Sequence, residues 1–493
     1  MRYLLVVLLL ANGWLCAQDL ENLEVRPPKI SVSGNVMAGV RLFQSNQPNL
    51  FNNSNFGYLV SVRLNVKIGQ FSLPFSYRLG DQLNLPDLPS FQYWGFSPRY
   101  RGLVLHLGHR SNRFTENTLN NIQQYGVGLE WTIKEKFVLR AARGILNRER
   151  FGRAIYNTTI QPLRERPFTA ASMGYKKGFN ELTLALLAAN ERPNATDSVS
   201  RKNRVAELVV GQTLLKKIRF RFRTAMSYTE RDRTEIFPLF SEDDPWLQRA
   251  ENIGLDPNLT TSSGFLLDSD LGYYGPLVNV SVGFRQVDDG FETFGRNFQL
   301  NDLRAYTVKT GLRLFQQRFI LNGQVGIEQN NLQAVRVSQT DRLIAHANLV
   351  YRTKKGSGVQ VNVSNFNLER VNRFIIGRDS FDFSYQSLTT SVSPFWELEN
   401  SRLTGSFNYV RNENNVGEGP SSIVHFYYGQ LSWIRQNSAQ NFRLRVGTNG
   451  YYTVLNENKV TTLGVSLGVF YAWFEQKLQL NLRYHPNYRL STT

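Results

Sequence analysis

Apolar and polar residues alternate with a period of two along most of this chain. Val60, Val62, Leu64, Val66 and Ile68 are separated by Ser61, Arg63, Asn65 and Lys67. After Gly69-Gln70 the alternation restarts at Phe71, Leu73, Phe75, Tyr77 and Leu79. A strand points successive side chains to opposite faces, so the pattern predicts strands with one apolar and one polar face. The unit recurs. Val127, Leu129, Trp131 and Ile133 turn at Lys134-Glu135-Lys136 into Phe137, Leu139 and Ala141. Lys176-Lys177-Gly178 leads into Phe179, Leu182 and Leu184, a one-residue slip that reads as a bulge. Leu215-Lys216-Lys217 leads into Ile218, Phe220 and Phe222, with Arg219, Arg221 and Arg223 on the other face. Further hairpins are predicted to turn near Gln316-Gln317, at Lys354-Lys355-Gly356 and around Glu475-Gln476-Lys477.

These short turns alternate with long polar connections at Gln44–Phe56, Arg110–Gln123, Leu146–Pro167, Arg231–Thr260, Asp288–Asp302 and Asn412–Ser422. A soluble sandwich explains alternation but not that asymmetry. The expected fold is all-β, a large antiparallel transmembrane β-barrel of about 22–24 strands, with short periplasmic turns and long extracellular loops. Tracing strand directions from Ile30–Leu42 makes the count odd, whereas single-chain barrels are mostly even.

Composition sharpens this reading. Met1-Arg2, the apolar run Tyr3–Ala11 and a small residue at Ala17 fit a cleaved signal peptide over 1–17. A short periplasmic segment, 18–29, and the barrel, 30–493, follow. Segment 18–29 is too short for a plug domain. The single cysteine, Cys16, leaves with the peptide, so no disulfide or thiolate site is expected. Beyond Ala17 no apolar run approaches the roughly 20 residues of a spanning helix. A mean hydropathy of −0.34 with 13% aromatic residues suits strands that face lipid on one side only. The formal charge of +18 becomes +17 once Arg2 is removed, which favours anionic partners. Export disfavours nucleic acid among them.

Several stretches resemble an uncharacterised outer-membrane β-barrel family of Bacteroidota. The clearest is Gly283-Phe284-Arg285-Gln286-Val287-Asp288-Asp289-Gly290-Phe291-Glu292-Thr293-Phe294-Gly295, followed by Asn301-Asp302. Val325–Leu332, Ser364-Asn365-Phe366, Phe96–Tyr100 and Leu105–Arg110 fit the same pattern. The resemblance implies a barrel and an outer-membrane location. It brings no catalytic residue and no substrate.

Candidate chemistry lies on the polar face. Arg63, Lys67, Arg140, Arg219, Arg221, Arg223, Lys309, Arg313, Arg443, Arg445 and Arg483 would line a basic lumen, because lipid-facing arginine costs about 2–4 kcal/mol at midplane. They either attract anions or pair with inward acids. The turn lysines are expected near phospholipid phosphates. Asp288, Asp289, Phe291, Glu292 and Phe294 form a loop that folds inward, meets a partner or simply packs as an outer loop. The Arg231–Thr260 connection, with Glu242-Asp243-Asp244-Pro245-Trp246, is long enough for a lid. No metal or cofactor is expected. His106 and His109, three apart on a regular strand, face opposite sides, and His109-Arg110-Ser111-Asn112 is a weak match to a phospholipase order.

The expected function is a non-enzymatic outer-membrane channel, or the membrane component of a translocation or surface-assembly complex. Its basic lumen would favour anionic solutes or acidic partner segments, including those of a periplasmic partner. The alternative is a docking barrel with a loop-filled lumen that anchors a surface lipoprotein. An outer-membrane lipid hydrolase is a distant third.

Overall fold

The computed structural model describes residues 30–42, 56–80, 91–146, 153–155, 158–160, 165–192, 200–232, 261–296, 301–332, 338–372, 383–416, 421–437, 442–455, 458–473, 478–484 and 486–492. The leader expected over 1–17, segment 18–29, nearly all of the Arg231–Thr260 connection and the turn expected around Glu475-Gln476-Lys477 lie outside these residues. The chain divides into two compact units, Met1–Arg110 with Tyr125–Trp131, and Ser111–Gln124 with Thr132–Thr493.

In the first unit β1 (Ile30–Leu42) pairs with β2 (Phe56–Ile68), and β2 turns through Gly69 into β3 (Phe71–Gly80). Two pieces, β4 (Phe91–Phe96) and β5 (Arg99–Tyr100), lie along β3, interrupted at Ser97-Pro98. The strand β6 (Leu103–Arg113) pairs back onto both, with Gly95 opposite Gly108 and Arg99 opposite Val104. The Ser97 hydroxyl holds this interruption together by contacting His106 Nδ1 at 3.1 Å and accepting from Arg110. Next comes β7 (Asn120–Ile133).

The second unit is a meander. It begins at β8 (Phe137–Ile145), followed by the separate hairpin β9 (Arg153–Ile155) and β10 (Thr158–Ile160). The sheet continues through β11 (Pro167–Lys177), β12 (Asn180–Glu191), β13 (Ser200–Leu214), β14 (Ile218–Asp232), β15 (Ser262–Tyr274), β16 (Val278–Val287) and β17 (Leu303–Leu314). Then follow β18 (Phe319–Asn330), β19 (Ser338–Arg352), β20 (Gly358–Asn372), β21 (Phe383–Leu398), β22 (Ser401–Val416), β23 (Ser422–Asn437), β24 (Phe442–Leu455) and β25 (Asn458–Trp473). Each strand from β11 to β25 pairs antiparallel with the next, β8 pairs with β11, and β25 carries both β26 (Leu478–Tyr484) and β27 (Asn487–Thr492). The architecture is the all-β antiparallel meander that the alternation predicts. Among the described residues, 23 sheet strands remain when β4/β5 and β26/β27 are each taken as one interrupted strand.

The two faces are inverted relative to a water-soluble sheet. On β12 the open face carries Leu182, Leu184 and Leu186, each 41–54% exposed, while Thr183, Ala185, Leu187, Ala189 and Glu191 are buried on the other. Neighbouring strands repeat this with Phe265, Leu271, Val280 and Val282 on the open side and Ala225, Ser227, Thr229 and Ser281 on the covered side. Large apolar side chains exposed over so many strands amount to a patch far beyond what soluble monomers carry.

Short turns join one end of the strands, such as Ile133 to Phe137, Leu214 to Ile218 and Arg352 to Gly358. Left-handed backbone at Lys134 and Glu135 and at Leu215 and Lys216 makes the first two, closed by Lys136 N–H to the Ile133 carbonyl and Lys217 N–H to the Leu214 carbonyl. Three expectations are corrected. There is no bulge after Gly178: Lys177 pairs directly with Asn180, and Phe179 belongs to the turn. The Arg110–Gln123 connection shrinks to 114–119, because β6 and β7 extend into it. Most of the Asn412–Ser422 connection is strand, since β22 runs to Val416 opposite Phe383. Ladder hydrogen bonds come from the backbone, so polar strand ends continue without an apolar period.

Gly178 has φ +63° with open space around its α-carbon, so only conformation penalises a side chain there. Gly178→Val should cost about 1–2 kcal/mol, read as a lower urea midpoint for the detergent-solubilised protein without loss of strand content.

Candidate functional site

Two connections, residues 114–119 and 288–296, pack onto the covered face of β12 to β15 and bond to each other. The first is held by Glu207, the lone acid among the buried positions Val205, Glu207 and Val209 of β13. Its fully buried carboxylate accepts from Thr115 Oγ1 at 2.5 Å, the Asn117 amide N–H at 2.8 Å and Asn117 Nδ2 at 3.1 Å. Arg223 of β14 lies 3.5 Å away through Nε. An unpaired buried carboxylate would be expensive, so these donors are what make Glu207 tolerable there.

Asn203, also on β13, holds the second connection. Its Nδ2 donates to Thr229 Oγ1 and to the Glu292 carbonyl, both at 2.8 Å, and its Oδ1 accepts from Phe294 N–H at 3.1 Å. The side-chain amide thus presents a donor and an acceptor to a loop that has no strand partner there. Ser227 Oγ accepts from Glu292 N–H at 3.0 Å. The connections are then joined directly: Thr293 Oγ1 donates to the Asn117 carbonyl at 2.7 Å, and Asn120 N–H donates to the Gly295 carbonyl at 2.9 Å. Gly295 sits so close to the Thr118 carbonyl that a β-carbon has no room, and at Gly264 one would collide with the Phe291 backbone. Phe291 and Phe294 are buried with Phe114, Leu119, Val205, Ala225 and Leu266.

Beside this clasp lies a polar cavity of about 330 Å³. Five cations line it, Arg113, Arg140, Lys176, Arg221 and Arg223, with two acids, Glu116 and Glu181. Lys176 lies opposite Glu181 in register, and Arg221 opposite Asp270. Glu116 reaches from the 114–119 connection to pair with Arg223 and, at 3.5 Å, with Arg296. Burial alone would raise the Glu116 pKa, but Arg223, Arg296 and Arg285 together hold it below the usual carboxylate value. The pairing therefore stands throughout the neutral range and is lost only as acid takes the pH below that value.

The predicted basic residues do not form one site. Arg140, Arg221 and Arg223 meet at the cavity. Arg219 instead stacks on Phe179 and Tyr274, at 5.2 and 4.6 Å from their ring centres. Arg223 is shared among Glu116, Asp268 and Glu207, so the three-arginine row is partly neutralised. Lys309 and Arg313 are exposed on β17, Arg63 and Lys67 on β2, and Arg443 and Arg445 on β24. The Arg483 side chain lies outside the described residues. In the Asp288–Asp302 loop, Asp288 Oδ2 accepts from Phe265 N–H at 3.0 Å, the Asp289 carbonyl accepts from Asn301 at 3.4 Å, and Glu292 lies 3.8 Å from Arg201. His109 packs against Tyr93, Trp94 and Tyr125. Glu207, Asn203, Glu116 and Arg113 were not singled out from sequence, and Lys176, expected at a turn near phospholipid phosphates, lines this cavity instead. Glu207 had a usable signal, an acid in the inward parity of an apolar strand, whereas Glu116 had none.

No family model matches the chain, and no curated protein matches it. Distant likenesses occur among solved structures. A P pilus tip assembly intermediate from E. coli, PapC-PapD-PapK-PapG, is 10% identical with a TM-score of 0.35, covering 90% of this chain and 61% of that one. This chain thus spans about three-fifths of the length of that first match. The P pilus usher (PapC) translocation pore is 12% identical, with a TM-score of 0.33 and coverage of 88% and 98%. OccAB4 of Acinetobacter baumannii is 10% identical, with a TM-score of 0.29 and coverage of 88% and 100%. Likeness at this level carries no argument about function.

Glu207→Ala should leave Asn117 and Thr115 without their buried acceptor and Arg223 without one of its ion-pair partners, and cost about 3–5 kcal/mol. Trypsin cleavage after Arg113 should speed up, while Glu207→Gln, which keeps one acceptor oxygen, should lie between the two.

Proposed function

We propose that the strands close into an outer-membrane barrel whose covered face is its interior, and that the protein is a channel narrowed by its own 114–119 and 288–296 connections. The inverted sheet carries this reading. Leucines such as Leu182, Leu184 and Leu186 lie on the open face while small and polar residues lie beneath the two connections. Hydrocarbon outside and water or protein inside is the surrounding that makes both faces favourable. Narrowing rather than plugging follows from the polar cavity left beside the clasp, and its five cations against two acids favour anionic solutes or acidic partner segments. Export to the outer membrane fits the leading apolar run and Ala17, and the lysine-bearing turns fit the periplasmic side. The same arrangement serves a channel or the membrane component of a translocation complex, with chemistry limited to passage.

One observation favours a second reading. Phe291 is fully buried and Phe294 nearly so, so the 288–296 connection fills space as a core does. A barrel filled in this way would serve as a docking platform, for instance for a surface lipoprotein.

Planar bilayers separate the two. A channel should give steady single-channel current with anion preference, and Arg140→Gln with Arg221→Gln should lower that preference at least severalfold at low salt. No current from protein that inserts and keeps its strand content would refute the channel.

A further inference from the structure

The clasp places an acid where a bound anion would sit. Glu116 comes from a connection, not from the wall, and its carboxylate lies in the cavity against Arg223 and Arg296. The wall holds that connection by a different group, Glu207, which bonds Thr115 and Asn117 on either side of Glu116. Anchorage is thus complete without the Glu116 pair. Arg223 also keeps Glu207 and Asp268 as partners if Glu116 leaves. Meanwhile Arg113 and Arg221 line the same cavity and form no ion pair within 4.0 Å among the described residues. Guanidinium groups from separate elements converging on one space match an oxyanion with two or more charges, each offering a planar pair of donors.

We infer that the cavity beside the 114–119 connection is a binding site for a small soluble multivalent oxyanion, and that Glu116 is its intrachain competitor, displaced from Arg223 when the anion enters. The site rests on the basic-interior reading above but not on conduction. About 330 Å³ admits a phosphate with its first waters, or a small phosphorylated or polycarboxylate solute. The lowered pKa of Glu116 agrees, since the cationic surroundings that keep it ionised would equally favour an added anion. Release of Glu116 would free the middle of the connection while Thr115 and Asn117 stay tied to Glu207. Occupancy then changes the narrowing without dismantling it.

The test is calorimetric titration of the detergent-solubilised full chain with inorganic phosphate at low ionic strength. Wild type should give a saturable heat. Glu116→Gln should bind about tenfold tighter, the order of one charge-assisted hydrogen bond no longer competed for. Glu181→Gln, an acid of the same cavity without contact to Arg223, should change affinity by less than about threefold if through-space charge is all it supplies. Arg140→Gln with Arg221→Gln should abolish the heat, with retained strand content by circular dichroism showing that the fold survives. No phosphate binding in wild type and Glu116→Gln, equal gains from the two acid variants, or undiminished binding in the double arginine variant would each overturn the proposal. A protein that conducts but binds no phosphate overturns this site alone. One that binds as described yet passes no current overturns the channel and leaves the site standing.

Discussion

A carboxylate with no access to water must find its hydrogen-bond donors within the protein, and Glu207 imposes that demand on the middle of this sheet. Its position in β13 is fixed by backbone pairing on both sides, so the donors have to come to it. They come from the 114–119 connection, Arg223 adds an opposite charge at 3.5 Å, and the rest of the site follows. Once Asn117 is fixed by Glu207, its carbonyl is placed for Thr293, and Thr293 sets the course of the second connection past Asn203. Arg223, drawn to Glu207, is in turn placed to receive Glu116 and Asp268.

The sheet accommodates this because its covered face is built from small residues. Ala185, Ala189, Ala225, Ser227 and Gly264 leave the depth into which Phe291 and Phe294 fit. The bulk that a soluble protein would use for its core sits instead on the opposite face, in Leu182, Leu184 and Leu186. The division makes each face suited to a different solvent, and it explains how a chain of negative mean hydropathy carries so much exposed leucine and valine.

The strands were legible because period-two alternation is a local property, readable from Val60 to Ile68 or from Val127 to Ile133 without knowing the partner strand. The polar ends were not: in β22, Arg411–Val416 is strand only because β21 and β23 lie beside it. The site was legible in fragments. The Gly290–Gly295 motif stood out, and the structure gives Gly295 a physical reason in its contact with Thr118. Arg140, Arg221 and Arg223 were marked by parity, which identifies a face but not a neighbour. Of the three acids that share Arg223, Glu116 lies 107 residues away along the chain, a separation that leaves no trace in any local pattern.

Such separations bear on how the protein is assembled. Thr115 meets Glu207 across 92 residues and Asn117 meets Thr293 across 176. Hairpins close within a dozen or so residues, and loop-closure entropy makes the distant contacts wait until the intervening strands are ordered. The clasp is therefore a late event, formed after β8 to β16 have been laid side by side. Until then Glu207 lacks the 114–119 connection that covers it, and its charge, left open to solvent, costs little.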